Sequence, residues 1–168
     1  MSRAFMKDAD ESARVETLPD RPHSDQPNYV TRNGLHLLES HVAELTSRRR
    51  ELVSRDSLDS RQELSIVERD LRYYDERVKR AIVVDAENQP GDRVHFGARV
   101  RVRDDSGAES SFAIVGEDEA DAAHGKISWA SPLAAALMNR AVGEVVVWRR
   151  PAGDKELEII EIVAGGGH

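Results

Sequence analysis

Between residues 35 and 82 the apolar positions return every three or four residues. Leu35, Leu38, Val42, Leu45 and Leu52 form one row, with Arg49 standing where a further apolar residue would fall. Leu64, Val67, Leu71, Tyr74, Val78 and Ala81 form a second row. Steps of three and four keep each row on one stripe of a helix, and two stripes of equal period zip together as a coiled-coil hairpin. The polar run Ser54–Ser60 joins the arms and becomes the tip. No glycine or proline interrupts residues 35–84. Thr31 or Asn33 is placed to cap the first arm, and Asp59 or Ser60 the second. The stem of Arg49 is expected to lie along the seam while its guanidinium meets an acid on the facing arm.

From residue 94 the period drops to two. Val94, Phe96, Ala98, Val100 and Val102 alternate with His95, Arg99, Arg101 and Arg103, which predicts a strand with one buried face. Asp104-Asp105-Ser106-Gly107 reads as a hairpin turn into a second strand over 111–115. An acidic loop, Glu117-Asp118-Glu119-Ala120-Asp121, precedes a short strand over 126–129. Ser131-Pro132 starts a helix expected to run from Leu133 to about Arg140. Strands over 144–148 and 157–163 complete a small antiparallel sheet. Because Val145 and Val147 alternate with Val146 and Trp148, both sheet faces are expected to be partly covered there. The fold class is α+β, an N-terminal antiparallel helical hairpin followed by an antiparallel sheet with one helix.

Residues 1–30 carry no sustained apolar period. Pro19, Pro22 and Pro27 stand among Asp, Ser and Arg, and Phe5 and Tyr29 are the only aromatics. This composition suits an extended or disordered leader. Neither seam nor sheet draws on it, so residues 1–28 are expected to be dispensable for folding. The organisation is then a leader over 1–30, a coiled-coil hairpin over 31–84, a linker over 85–93, a C-terminal domain over 94–163 and a tail over 164–168.

Composition narrows the function. Of the 168 residues, 33% are charged and 5% aromatic, a balance that favours a long solvated helical element beside a modest core. The net charge is −7, which argues against independent binding of duplex DNA. The absence of cysteine excludes disulfides, thiolate metal sites and a cysteine nucleophile. No stretch nears the ~18 apolar residues of a membrane span, and no basic-then-apolar signal opens the chain, so a cytoplasmic protein is expected. His36 and His41 are five residues apart, the wrong spacing for a metal on one helix face. No nucleophile elbow, phosphate loop or dinucleotide fingerprint is present, and the chain is not expected to be an enzyme itself.

Phe96-Gly97-Ala98, Ile114-Val115-Gly116-Glu117-Asp118-Glu119-Ala120-Asp121, Ile127-Ser128, Ser131-Pro132-Leu133-Ala134, Ala136-Leu137 and Val142-Gly143-Glu144 resemble, in order and spacing, the C-terminal signature of the bacterial Gre transcript-cleavage factors. Thr31-Arg32-Asn33-Gly34-Leu35 is similar to the segment that opens their coiled coil. The resemblance spans residues 29–163. It implies an FKBP-like C-terminal domain docked at the rim of the secondary channel of RNA polymerase. It further implies a coiled coil that enters the channel and tip carboxylates that help hold Mg²⁺ beside the polymerase active site. Cleavage of the extruded RNA 3′ end then rescues a backtracked complex.

Carried onto this chain, the resemblance makes Asp56 and Asp59 the candidate tip carboxylates, delivering Mg²⁺ only in complex with the polymerase. Their spacing matches the family pair, with Asp in place of the second acid, Glu, while the rest of the family tip motif is not reproduced. The chemistry agrees, because two-metal phosphodiester hydrolysis needs a second Mg²⁺ held by hard oxygen ligands. No cofactor of the chain's own is implied. Arg48, Arg50 and Arg55, clustered with Arg49 and Arg61, match the basic patch associated with the nascent RNA 3′ end; the plainer reading is Glu/Arg dressing of a coiled coil. Trp129, Ser131 and Pro132 fall at the polymerase contact, with Ala130 replacing the family Asp.

The coiled coil is also shortened. The family pattern has roughly 16 more residues between the segments matching Thr31 and Phe96, which makes this stalk shorter by roughly 12 Å. A channel-binding transcription regulator without cleavage activity is therefore the alternative. An FKBP-like prolyl isomerase is a further alternative, disfavoured by the few aromatics of residues 94–163, and a coiled-coil adaptor for another partner is a third.

Overall fold

The computed structural model describes residues 17–165; Phe5 with the rest of 1–16, and His168 with the end of the tail, lie outside the described residues. Helices α1 (Arg32–Ser54) and α2 (Leu58–Arg80) each have 23 residues, about 34 Å of helix. The Thr31 hydroxyl oxygen accepts the Gly34 N–H at 2.9 Å and caps α1, one of the two expected choices. At α2 the cap differs from expectation. The Ser57 Oγ accepts the Ser60 N–H at 3.2 Å and lies 2.7 Å from the Ser60 Oγ. The turn is only three residues long, so α2 begins at Leu58 and Asp59 is already inside its first turn.

The described residues divide into two compact units, one of residues 17–24 and 38–79, the other of 25–37 and 80–165. In the hairpin unit Leu38, Leu52 and Val67 are buried, and Val42, Leu45, Leu64, Leu71, Tyr74 and Val78 are half-buried along the predicted seam. Arg49 is the expected exception: exposed, with its Nε donating to Glu68 Oε1 at 3.2 Å on the facing arm.

The described end of the leader is packed, against expectation. The Arg72 Nε donates to Asp20 Oδ1 at 2.7 Å. The Arg21 guanidinium sits 3.9 Å from the centre of the Tyr73 ring and 3.4 Å from Asp70 Oδ1. His23 stacks on Tyr73 with ring centres 5.1 Å apart. Cation–π and ionic contacts laid on a polar helix face follow no apolar period, so the hydrophobic pattern could not announce them.

In the second unit, β1 (Tyr29–Val30) pairs in parallel with β2 (Ile82–Val83), and the Ile82 N–H donates to the Asn28 carbonyl at 2.8 Å. The main sheet contains β3 (Arg99–Asp104), β4 (Glu109–Val115), β5 (Lys126–Ser128), β6 (Val145–Trp148) and β7 (Lys155–Val163), in the order β5-β4-β3-β7-β6. Helix α3 (Pro132–Leu137) buries Leu133, Ala134 and Leu137 in a core shared with Val100, Ile114 and Ile159.

Four details depart from the sequence reading. β3 starts at Arg99 rather than Val94, because Gly97 has a φ of 85° and bends the chain before it. β5 runs parallel to β4, so the sheet is mixed: residues 116–125 cross over and return in the same sense. α3 ends at Leu137, short of Arg140, as Asn139 takes a φ of 64° and its N–H donates to the Val94 carbonyl. Val145 and Val147 are exposed while Val146 is buried, so only one face of β6 is covered.

The turn after β3 follows expectation. Asp104 Oδ1 accepts the N–H groups of Ser106 and Ala108, both at 3.0 Å, and the Ser106 hydroxyl at 2.6 Å. Its Oδ2 faces Lys155 Nζ at 3.0 Å. The Ser106 hydrogen bond, then the Lys155 contact, bring this carboxyl down to about 2. A depressed pKa adds stability above the ordinary carboxylate range that is lost as pH falls through the folded value. Asp104→Asn is therefore expected to be less stable than wild type in urea at pH 7, with the gap narrowing below about pH 4 and closing near pH 2. A gap that does not change with pH would contradict this.

For the leader, Arg21→Ala is expected to lower the stability of the full chain by about 1 kcal/mol, the scale of a half-exposed cation–π contact with an adjoining ion pair. An unchanged unfolding midpoint would show that the leader adds nothing to the fold.

Candidate functional site

Arg55, Asp56 and Ser57 are the whole turn between α1 and α2. The Asp56 side chain is 83% exposed, and the Arg61 Nη2 donates to its Oδ1 at 2.7 Å. Asp59 is exposed on the first turn of α2, where the helix dipole favours a negative charge. Because Ser57 does the capping, Asp59 has no cap role and makes no ion pair among the described residues. The structure thus brings both candidate carboxylates to the tip, one held by an arginine and one free.

Carboxylates are the right donors for Mg²⁺, a hard ion that takes about six oxygens. Among the described residues no group of three or more His, Asp or Glu is placed to hold a metal. By their chemistry Asp56 and Asp59 could give such an ion one or two oxygen ligands and no complete site.

The basic residues of the hairpin are mostly engaged. Arg48 donates from Nε to Glu63 Oε1 at 2.8 Å and from Nη1 to Glu51 Oε2 at 2.7 Å. Arg55 lies 3.7 Å from Glu51 Oε1. These guanidinium groups, the hydrogen bond from Arg48 first, hold the Glu51 carboxyl below its ordinary value, and Glu51 in turn raises the pKa of Arg48. Arg50 makes no ion pair among the described residues. Of Arg48, Arg50 and Arg55, only Arg50 has its full charge available to a phosphate.

In the other unit, the Ser131 Oγ accepts the Ala134 N–H at 3.3 Å and Pro132 occupies the first helical position of α3, as the sequence predicts. Pro132 and Ala130 are exposed. Trp129 is half-buried, with its ring 5.0 Å from Tyr29 in an edge-to-face contact. The two rings, with Phe96, His95, Gln89, Val84 and Met138, line a groove of about 280 Å³. The Trp129 indole Nε1 is buried and has no acceptor among the described residues. Trp129 therefore packs on the core and walls the groove at once.

One residue escaped the sequence reading. Glu119, placed there only as part of an acidic loop, is 8% exposed. The Thr31 hydroxyl donates to its Oε1 at 2.5 Å and the Asn33 side-chain amide to its Oε2 at 2.9 Å. The available signal was Gly34, at the third helical position where a capping box carries Glu or Gln.

The chain combines an acid-tipped helical hairpin with a separate sheet unit. The family model described as "Transcription elongation factor, GreA/GreB, C-term" matches residues 75–164. The transcription elongation factor GreB of Neisseria meningitidis serogroup B is 34% identical over 155 residues, covering 83% of this chain and 95% of that protein. GreA of Roseiflexus sp. is 32% identical over 156 residues, covering 83% and 99%. GreA of Maricaulis maris is 44% identical over 92 residues, covering 54% and 59%. Among solved structures, Gfh1 of Thermus thermophilus aligns at 24% identity with a TM-score of 0.40 over 82% of this chain and 99% of that one. A GreA/GreB factor from Nitrosomonas europaea aligns at 25% and 0.41 over 81% and 98%. The chain belongs to the GreA/GreB family of transcription elongation factors. Among the described residues no helix is long and apolar enough to cross a membrane.

Proposed function

We propose that this chain binds RNA polymerase at the secondary channel and stimulates the polymerase's own cleavage of a backtracked transcript. It would act as an accessory factor and not as an enzyme in its own right. The observation that carries this reading is the exposed carboxylate of Asp59 at the tip, freed from capping by Ser57. From the end of the hairpin it can add an oxygen ligand to Mg²⁺ held mainly by the polymerase, and Asp56 can add another by giving up Arg61. The ion would polarise the scissile phosphate or activate water at neutral pH. Arg50 is the arginine best placed to steady the RNA 3′ segment, and Trp129, Ser131 and Pro132 form the docking corner on the polymerase rim.

A channel-binding regulator without cleavage activity is the second reading. The Asp56–Arg61 pair favours it, since a carboxylate neutralised by arginine is a poorer ligand.

Transcript cleavage by a backtracked polymerase, with and without the protein, tests the proposal. Asp56→Asn/Asp59→Asn is expected to abolish stimulation while polymerase affinity stays within about twofold, because Asn keeps size but loses the charge that Mg²⁺ requires. Equal stimulation by wild type and double variant would sink metal delivery; none by either, with tight binding, would select the regulator.

For docking, Pro132→Glu is expected to weaken polymerase binding about tenfold or more, as a charge placed in an interface core does. Unchanged affinity with an intact circular dichroism spectrum would remove this corner from the contact.

A further inference from the structure

Helix α1 lacks the acid that its own first turn calls for. Thr31 is the cap, and the third helical position is Gly34. The carboxylate is supplied by Glu119, 88 residues beyond Thr31 in sequence. A β-carbon on residue 34 would lie 2.9 Å from Glu119 Oε1 and 3.3 Å from Thr31 Oγ1, so the missing side chain is what admits the carboxylate. Thr31 works in both directions: its oxygen accepts the Gly34 N–H while its hydroxyl donates to Glu119. Asn33 satisfies the second carboxylate oxygen. All these residues lie in the sheet unit, to which 25–37 belong.

A local capping box would stabilise the helix start equally well without tying it to anything. The arrangement found here caps the helix and fastens it to the loop after β4 in one step. We propose that Glu119 is a positioning residue, a helix cap supplied from outside the helix that fixes the root of the hairpin for work at its tip. This rests on the elongation-factor reading above. The leverage is large: a 5° tilt at the root of a helix about 34 Å long moves its end by about 3 Å, more than a Mg–O bond of ~2.1 Å.

Three variants of the full chain separate positioning from plain capping. Glu119→Ala removes the carboxylate. Gly34→Glu/Glu119→Ala builds a local capping box without the tie. Glu119→Gln/Asn33→Asp re-forms the tie with donor and acceptor exchanged. Each is measured by amide hydrogen exchange on the free protein, by polymerase affinity and by transcript cleavage.

For Glu119→Ala, exchange at Tyr29–Val30 and in the first turn of α1 is expected to quicken about tenfold, and cleavage to fall about tenfold or more with affinity within about twofold. The capping-box variant should regain protection in the α1 turn, but neither protection at Tyr29–Val30 nor cleavage. The exchanged pair should regain both to within about threefold. Full recovery of cleavage by the capping-box variant would overturn the proposal in favour of a plain cap. Wild-type behaviour of Glu119→Ala, or a loss of affinity matching the loss of cleavage, would overturn it as well. If wild type stimulates no cleavage, the functional reading fails, and the exchange measurements still decide whether Glu119 is the tie.

Discussion

The first turn of the 23-residue helix α1 is held in this protein by a buried carboxylate from another part of the chain. Glu119 reaches the start of α1 because residue 34 has no side chain, and both its oxygens are satisfied by Thr31 and Asn33. Burying a carboxylate costs several kcal/mol unless its oxygens are satisfied, which is why the three polar residues and the glycine work as one set. The neighbouring β1–β2 pair adds backbone hydrogen bonds beside the same root. A segment with the composition of a leader thereby becomes part of the sheet unit.

The hairpin beyond that root is held by a thin seam. Among the described residues its buried apolar side chains are Leu38, Leu52 and Val67, and charged pairs such as Arg49–Glu68 and Arg48–Glu63 flank it. Exposed pairs of this kind add little stability each, yet they set which side chains face one another across the arms. They also consume most of the positive charge that a basic cluster suggests. What the distal end offers a partner is the free carboxylate of Asp59 and the open guanidinium of Arg50.

Much of this was legible in the residues. Steps of three and four mark the seam, because a helix repeats every 3.6 residues and leaves no other way to bury those side chains. Asp104-Asp105-Ser106-Gly107 and Ser131-Pro132 are local devices, each satisfied by hydrogen bonds within four residues, so composition alone reports them. The candidate acids Asp56 and Asp59 could be placed at the tip for the same reason. Which of them is free could not be read, since it depends on Ser57 outcompeting Asp59 for the cap and on Arg61 folding back onto Asp56.

The sequence by itself determined the hairpin, its tip acids, the turn after β3, the start of α3 and the family, all of which follow from period or from short-range spacing. Tertiary structure alone decided that β5 runs parallel to β4, that residues 20–23 lie on α2, that β6 leaves two valines bare, and that Glu119 is buried. Apart from the bare valines, each of those joins groups separated in the chain through hydrogen bonds, ion pairs or ring contacts. Such contacts impose no period on the residues that make them, and an acidic loop spells the same letters whether its carboxylate faces water or closes the end of a helix.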